Sequence, residues 1–452
     1  MNQQQIIYPK VKISYHLLGE SDLHISGGGI EQRDVPKRAV NSLKDEKMQV
    51  QCFVKGTENR AYIPASTIKG LLASLCSSPK LHEQFFGHSQ QMGLLTTYDA
   101  YSQVQFLNET DFIRSRVNID PIRNAAQEHM LYNFNIVPKG TRFSAQILLK
   151  NIDRQSLLDF LQLLQQWSGQ TDQAIGSNKS TGYGRLKVEG IKVAILTHDM
   201  LNNWLKSKED LSQAFEIDHN ILSEIQEKSL TSIFQAYEFS INLLSPLLIN
   251  DPSQVSEQEK QPNFEYIRDK KGRPIIPGST LKGALKSQMR KILMTLLNSH
   301  GLEINACKEI SDAALNDIFG HGKHRSLIRL NDALLPDDIS YQLHLQQFSI
   351  IDRFSGGNNN LYKANAVGNA MFKGQLLLDK QLDDPDRLWA KQLLLLACKD
   401  FEQGDLLLGW GKAKGYGQCE LNFEQASFDL LYGHKHELNA LKTFIEGELC
   451  HA

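Results

Sequence analysis

The chain repeats itself, and no other feature of the sequence constrains its fold as tightly. Residues 62–74 read YIPASTIKGLLAS and residues 275–287 read IIPGSTLKGALKS, with Pro, Ser, Thr, Lys and Gly at identical spacing. FFGH at 85–88 returns as IFGH at 318–321, and Asp120 in NID returns as Asp352 in IID. GSNKSTGYGRL at 176–186 returns as GWGKAKGYGQC at 409–419. Four matches in the same order mark a tandem duplication. The expected organisation is a first domain over 1–197, linking helices over 198–234, a second domain over 235–426 and a helical tail over 427–452.

Both copies share one layout. Each opens with an alternating strand, carried by Val11, Ile13, Tyr15 and Leu17 or by Phe239, Ile241 and Leu243. A polar loop follows. A Pro–(Ala/Gly)–Ser–Thr turn then starts a helix, for which the Ser or Thr is the natural cap. After FGH comes a strand ending in an Asp–Ala pair, Asp99–Ala100 or Asp332–Ala333. Irregular segments at 120–138 and 352–369 lead to an apolar strand, an amphipathic helix, a glycine-rich loop and a last strand. Strand–helix–strand–strand–helix–strand is the ferredoxin-like order, which RNA-recognition domains share. The expected class is α+β, with two tandem ferredoxin-like domains.

The charge balance limits what such a protein grips. The chain of 452 residues has 49 basic and 51 acidic side chains, a formal net charge of −2. A histone-like polycation is excluded, so any nucleic-acid surface is local. Basic residues gather at 33–38, 268–273, 286–291, 323–329 and 412–414, and acids in the linker, the tail and 251–260. One basic groove shared by both copies is expected, with acidic outer faces. No run approaches 18 apolar residues, which excludes a helical membrane span. The opening MNQQQIIYPKVK lacks the layout of a signal peptide. Six scattered cysteines without a CxxC argue against a disulfide framework or a zinc ribbon. A cytoplasmic protein is expected.

The glycine-rich loops are the clearest chemical feature. Gly176, Gly182 and Gly184 alternate with Lys179 and Arg185, and Gly409, Gly411, Gly415 and Gly417 with Lys412 and Lys414. Glycine lets backbone amides approach a phosphate, and the cations add charge. A hairpin that merely turns is the plainer alternative. GSNKST lacks the Gly–Lys pair of a P-loop. The PxSTxKG turn aims helix amides, Ser66 and Thr67 or Ser279 and Thr280, and Lys69 or Lys282 at one place, which suits a phosphate. In the loop HISGGGIEQRDVPKRAV, Gly27, Gly28 and Gly29 are followed by Arg33, Lys37 and Arg38 around one carboxylate, Asp34. The plain reading is a solvated loop with a neutralised Asp, and the sharper one is an acid set against an RNA backbone, where it would activate a 2′-OH or hold a divalent metal. Met130, Leu131, Leu361 and Tyr362 are apolar tips suited to wedging between bases. His321 and His324 have no acid or Cys at ligand spacing, so a basic turn is preferred to zinc. Tyr183, Tyr416, Arg123, Arg268, Lys286, Arg325 and Arg353 complete the candidate RNA contacts.

Together these motifs resemble the RAMP superfamily of CRISPR proteins, and more narrowly the backbone subunits of type III effector complexes, with two copies fused as in III-D-like systems. The resemblance rests on the glycine loop, IPGSTLKG, FGH, the Asp–Ala pair and GxGxxxGYG, in family order in both copies. It implies palms that hold guide (crRNA) phosphates, protruding β-hairpin thumbs, and other type III subunits and a target RNA as partners. It also implies cleavage of the target by a loop Asp with Mg²⁺ or Mn²⁺ and no organic cofactor. Asp34 fits that acid by position and would bind the metal. Copy two lacks the three glycines and carries Asn263 at the corresponding place. Asp251 lies earlier in the same loop and is the substitute candidate, with an inactive second copy as the alternative. Asp269 reads as structural. A purely structural backbone subunit is the nearest rival. A guide-processing nuclease with His24 as base, and a tandem RNA-binding module outside CRISPR, are more distant ones.

Overall fold

Each copy builds one antiparallel sheet around its opening strand. A computed structural model describes residues 7–34, 47–105, 113–120, 126–168, 173–207, 210–225, 232–251, 264–322, 324–432 and 438–451. In copy one, Ile7–Gly19 lies between Leu186–Leu196 and Arg142–Asp153, and the short strands Leu95–Thr97 and Ala100–Ser102 extend the far side. In copy two, Phe234–Leu243 lies between Cys419–Phe423 and Met371–Asp379, followed by Ile328–Leu330 and Ala333–Leu334. The expected strand alternation is realised: Val11, Ile13, Tyr15 and Leu17 are buried, as are Phe239 and Ile241.

Helices cover the apolar face. Ala65–Leu75 buries Ile68, Leu71, Leu72 and Leu75, and Arg154–Ser168 sets Leu157, Phe160, Leu161, Leu164 and Trp167 in the same core. Gly278–Ser299 and Leu388–Glu402 do this for copy two through Leu281, Leu285, Met289, Leu393, Leu394 and Phe401. The tail helix Asn439–His451 packs on Leu388–Glu402, with Phe444 stacked on Trp389 at 4.0 Å. No helix among the described residues is long and apolar enough to cross a membrane.

Three local expectations change. The segment after the first strand of copy one is not a loop. Ser26–Asp34 pairs with Lys47–Phe53, which runs parallel to Ala126–Asn135, itself paired with Ile113–Ile119. The segment expected as irregular in copy two belongs to a hairpin of Gln342–Ile351 and Asn358–Gly368. Ser26–Asp34 and Gln342–Ile351 are largely exposed, so they lack the one-sided burial that makes a strand visible in sequence.

The third change concerns the helix caps. Pro64 and Pro277 occupy the cap positions, and Ser66, Thr67, Ser279 and Thr280 lie inside the helices. The first helical amide instead donates to a distant carboxylate: Ala65 N to Asp99 Oδ1, and Gly278 N to Asp332 Oδ1, both at 2.7 Å. A proline cannot cap with its side chain, and the Asp–Ala pair supplies what it lacks. The helix N-termini are therefore already partnered by protein carboxylates.

The FGH motif is a helix stop. Gly87 and Gly320 follow helices Pro79–Phe86 and Ile304–Phe319 with φ of +80° and +87°.

Candidate nucleic-acid interface

The glycine loops divide into two functions. Gly184 and Gly417 have no room for a side chain, because a Cβ would stand 1.9 Å from the carbonyl oxygen of Ile175 or Leu408. This close approach to the loop's own domain is identical in the two copies and is structural. Gly182 and Gly415 occupy equivalent places but differ. A Cβ at Gly182 would stand 2.8 Å from Asn331 Cα, in the other copy, whereas a Cβ at Gly415 would meet nothing within 4 Å. The Lys179–Thr181 turn of copy one therefore seats against Ile328–Leu330 and helix Gly278–Ser299 of copy two.

Cations from both copies converge at this seam. Arg116 donates to Asn178 Oδ1 and Thr181 Oγ1, both at 2.7 Å, and lies over Phe134 and Tyr183 at 5.2 and 5.4 Å. From copy two come Lys282, Lys286 and Arg290, one turn apart along a single helix, and Arg329. Burial pushes the Lys282 ammonium down to about 7, aided by Lys286, Arg116 and Arg329. Lys282 donates to Phe319 O at 3.2 Å and Ser326 Oγ at 2.9 Å, tying the STLKG motif to IFGH. Lys286 donates to Asn316 Oδ1 at 3.0 Å. Burial also lowers the pKa of Lys179, with help from Arg329, and that of Lys286, with help from Arg290. Burial is the main cause and the neighbouring cations the lesser one, so an anion brought to Lys179, Lys282 and Lys286 would favour their charged forms, while Arg290 is already paired with Asp312.

A buried ion-pair tie holds the seam. The Arg114 guanidinium stands 3.5 Å from Asp22 and 4.0 Å from Asp251, and donates to Arg268 O at 3.0 Å. Asp251 is 1 % exposed. It is thus turned into the contact between copies and away from any surface an RNA hydroxyl would reach. Asp332 lies close by. Burial, and next the charge of Asp22, push its carboxyl up to about 6, opposed by the Gly278 amide, Arg114 and Arg116.

The remaining candidates are dispersed. Gly27, Gly28, Gly29, Arg33 and Asp34 lie on strand Ser26–Asp34, and Asp34 is in register with Lys47. Lys37, Arg38, Arg123 and Asn263 fall outside the described residues. Ser66 is exposed, and Thr67, Lys69, Ser279, Thr280 and Arg185 are half-buried. Tyr183 and Tyr416, expected to touch RNA, are 5 % and 3 % exposed and pack beneath the surface. His24 is fully buried, with Nδ1 2.5 Å from Asn135 O, and burial lowers its pKa. That placement removes it as a base for RNA. Arg268 pairs with Glu265 at 2.5 Å, and Arg325 with Asp379 at 2.7 Å. Arg353 is exposed near the turn of the copy-two hairpin, while Leu131 and Leu361 project as exposed apolar side chains. Met130 is in strand Ala126–Asn135, and Tyr362 is half-buried in Asn358–Gly368.

Sequence reasoning missed Arg114 and Arg116, whereas Arg290 and Arg329 lie in the expected basic clusters 286–291 and 323–329 without having been singled out. The alternation in IRSRV places Arg114 and Arg116 on one strand face, and that signal was readable. Their partners in the other copy were not. Among the described residues no three His, Cys, Asp or Glu side chains gather to hold a metal.

The chain is thus a tandem α+β protein whose two domains meet at a cation-rich seam. The sequence profile of the RAMP superfamily matches residues 17–187 and 240–420, one region in each copy. The chain belongs to the RAMP superfamily, a membership that points to a CRISPR-associated RNA-binding subunit. No curated protein matches it.

Proposed function

We propose that this chain is a guide-RNA-binding backbone subunit of a type III, III-D-like CRISPR complex, and that it cuts target RNA at Asp34. The observation that carries the reading is the cationic seam, where Arg116 and Lys179 of one copy meet Lys282, Lys286 and Arg329 of the other. The order Leu186–Leu196, Ile7–Gly19, Arg142–Asp153, Ala100–Ser102 supports a ferredoxin-like palm. We read the copy-two hairpin and strands Ile113–Ile119 and Ala126–Asn135 as the thumbs. Asp251 serves the contact between copies, which leaves copy two as scaffold.

Asp34 is one carboxylate, and Mg²⁺ is commonly held by one or two carboxylates completed by substrate phosphates. Asp34 fits such a site, with RNA oxygens as the other ligands. The ion would sharpen a 2′-OH as nucleophile. The chain's own part is to hold the backbone by the seam lysines while Asp34 meets the scissile position.

The test uses end-labelled target RNA and the assembled complex. Asp34→Ala should abolish one discrete, EDTA-sensitive cut and leave target binding intact. Lys282→Gln should weaken guide binding and reduce the salt slope by roughly 0.7 per lost phosphate contact. Cleavage that persists in Asp34→Ala would leave the chain a structural RNA holder.

A further inference from the structure

We propose that the root of the second thumb is a stacking site for an unpaired base of single-stranded RNA, built in copy two and absent from copy one. This rests on the RNA-binding reading above. Tyr362 stacks on Phe348 at 5.4 Å and 23°, and Trp410 stacks on Phe264 at 5.3 Å and 28°. All four rings are half-buried. The exposed Lys414 ammonium stands 4.5 Å from the Phe348 centroid, 4.9 Å from Trp410 and 5.1 Å from Tyr362, and donates to the Tyr362 hydroxyl. The chain's own lysine thus covers an aromatic face.

The duplication supplies an internal control. Backbone pairing fixes the equivalences. Tyr132 is in register with Arg116 as Tyr362 is with Phe348. Gln51 lies beside Phe134 as Phe264 lies beside Ala364. Ser177 N donates to His24 O as Trp410 N donates to Leu248 O. Copy one therefore carries Gln51, Arg116 and Ser177 where copy two carries Phe264, Phe348 and Trp410, and a fully buried Phe134 where copy two carries Ala364. Copy one keeps its extra ring inside, whereas copy two moves its rings outward to the edge of the core, where they are only partly covered. Ring faces left partly open at this edge can take an occupant.

The surroundings select its chemistry. A ring cluster under a cation also suits a second ammonium. Here Lys414 already lies over the platform, and another cation would be repelled. A flat base is neutral and stacks on any of the rings, while its phosphate meets the lysine. Lys414 needs only to swing aside to lie on the outer face of the base.

The test compares full-length wild type with the double variant Phe348→Arg/Trp410→Ser, which installs the copy-one residues at two of the three places. Binding is measured for a single-stranded RNA and for an abasic strand of equal length and charge. Wild type should favour the RNA with bases. The double variant should lose that preference by roughly 5- to 150-fold, the usual scale of base–aromatic stacking, while its affinity for the abasic strand holds or rises. Trp410→Phe, which keeps a ring, should retain the preference and so exclude misfolding as the cause. An unchanged preference in the double variant, with both strands still bound, would overturn the stacking site and leave RNA binding standing. Failure of wild type to bind either strand would overturn both.

Discussion

Gly182 and Gly415 occupy one place in the repeat and meet opposite surroundings. Both have positive φ, +87° and +80°. A β-branched residue at either pays the left-handed cost, about 1–2 kcal/mol. Only at Gly182 does the new side chain also strike the other copy, at Asn331. Gly182→Val should therefore destabilise the chain by several kcal/mol and Gly415→Val by no more than about 2 kcal/mol. Urea midpoints of the two variants check this. Equal losses would mean that the loop of copy one does not depend on its seat in copy two. The comparison shows what a motif hides: GYG is one string in two roles.

At the scale of elements, the cap of the first helix gives the sharpest contrast with the sequence. Ser66 looks like a cap and is exposed inside the helix, whereas Asp99 caps from the link between strands Leu95–Thr97 and Ala100–Ser102. Asp99→Ala should cost about 1–2 kcal/mol, as lost caps do, and Ser66→Ala should cost almost nothing. Thermal melts of the two variants decide between them. The cap illustrates which elements were legible. The buried strands and helices were, because Val11, Ile13, Tyr15 and Leu17 alternate and because Leu281, Leu285, Met289 and Leu293 recur each turn. The duplication was, because short motifs returned in order. Strands Ser26–Asp34 and Gln342–Ile351 were not, because their stability lies in backbone pairing and in contacts across the chain rather than in a one-sided pattern. The candidate site was half legible. Lys179, Lys282 and Lys286 stood out beside glycine and helix motifs. Arg116 did not, because the cations it joins at the seam lie in the other copy.

The whole molecule depends on that seam, and Arg114 neutralises it. Its charge faces Asp22, Asp251 and Asp332 together. Arg114→Met keeps the bulk of the side chain and removes the cation. Leaving buried acids uncompensated costs about 3–5 kcal/mol, and the cost falls on the contact between copies rather than on either core. Calorimetry should then show the melt of the variant split into two transitions where wild type keeps its copies coupled. The pH dependence gives the sign. Asp332 has a folded pKa of about 6, above the usual carboxyl value. Its native state thus holds the proton more tightly than the unfolded chain does, and stability is lost as pH rises from about 4 through 6. Without Arg114 the carboxylate form is less tolerated, so the loss steepens and extends above pH 6. The variant should accordingly be closest to wild type near pH 5 and farthest from it at pH 7.5. Asp332→Asn in the Arg114→Met background should flatten that difference, because an amide at this place has no charge to bury. A variant whose deficit is the same at both pH values would show that Arg114 supports the seam by packing alone.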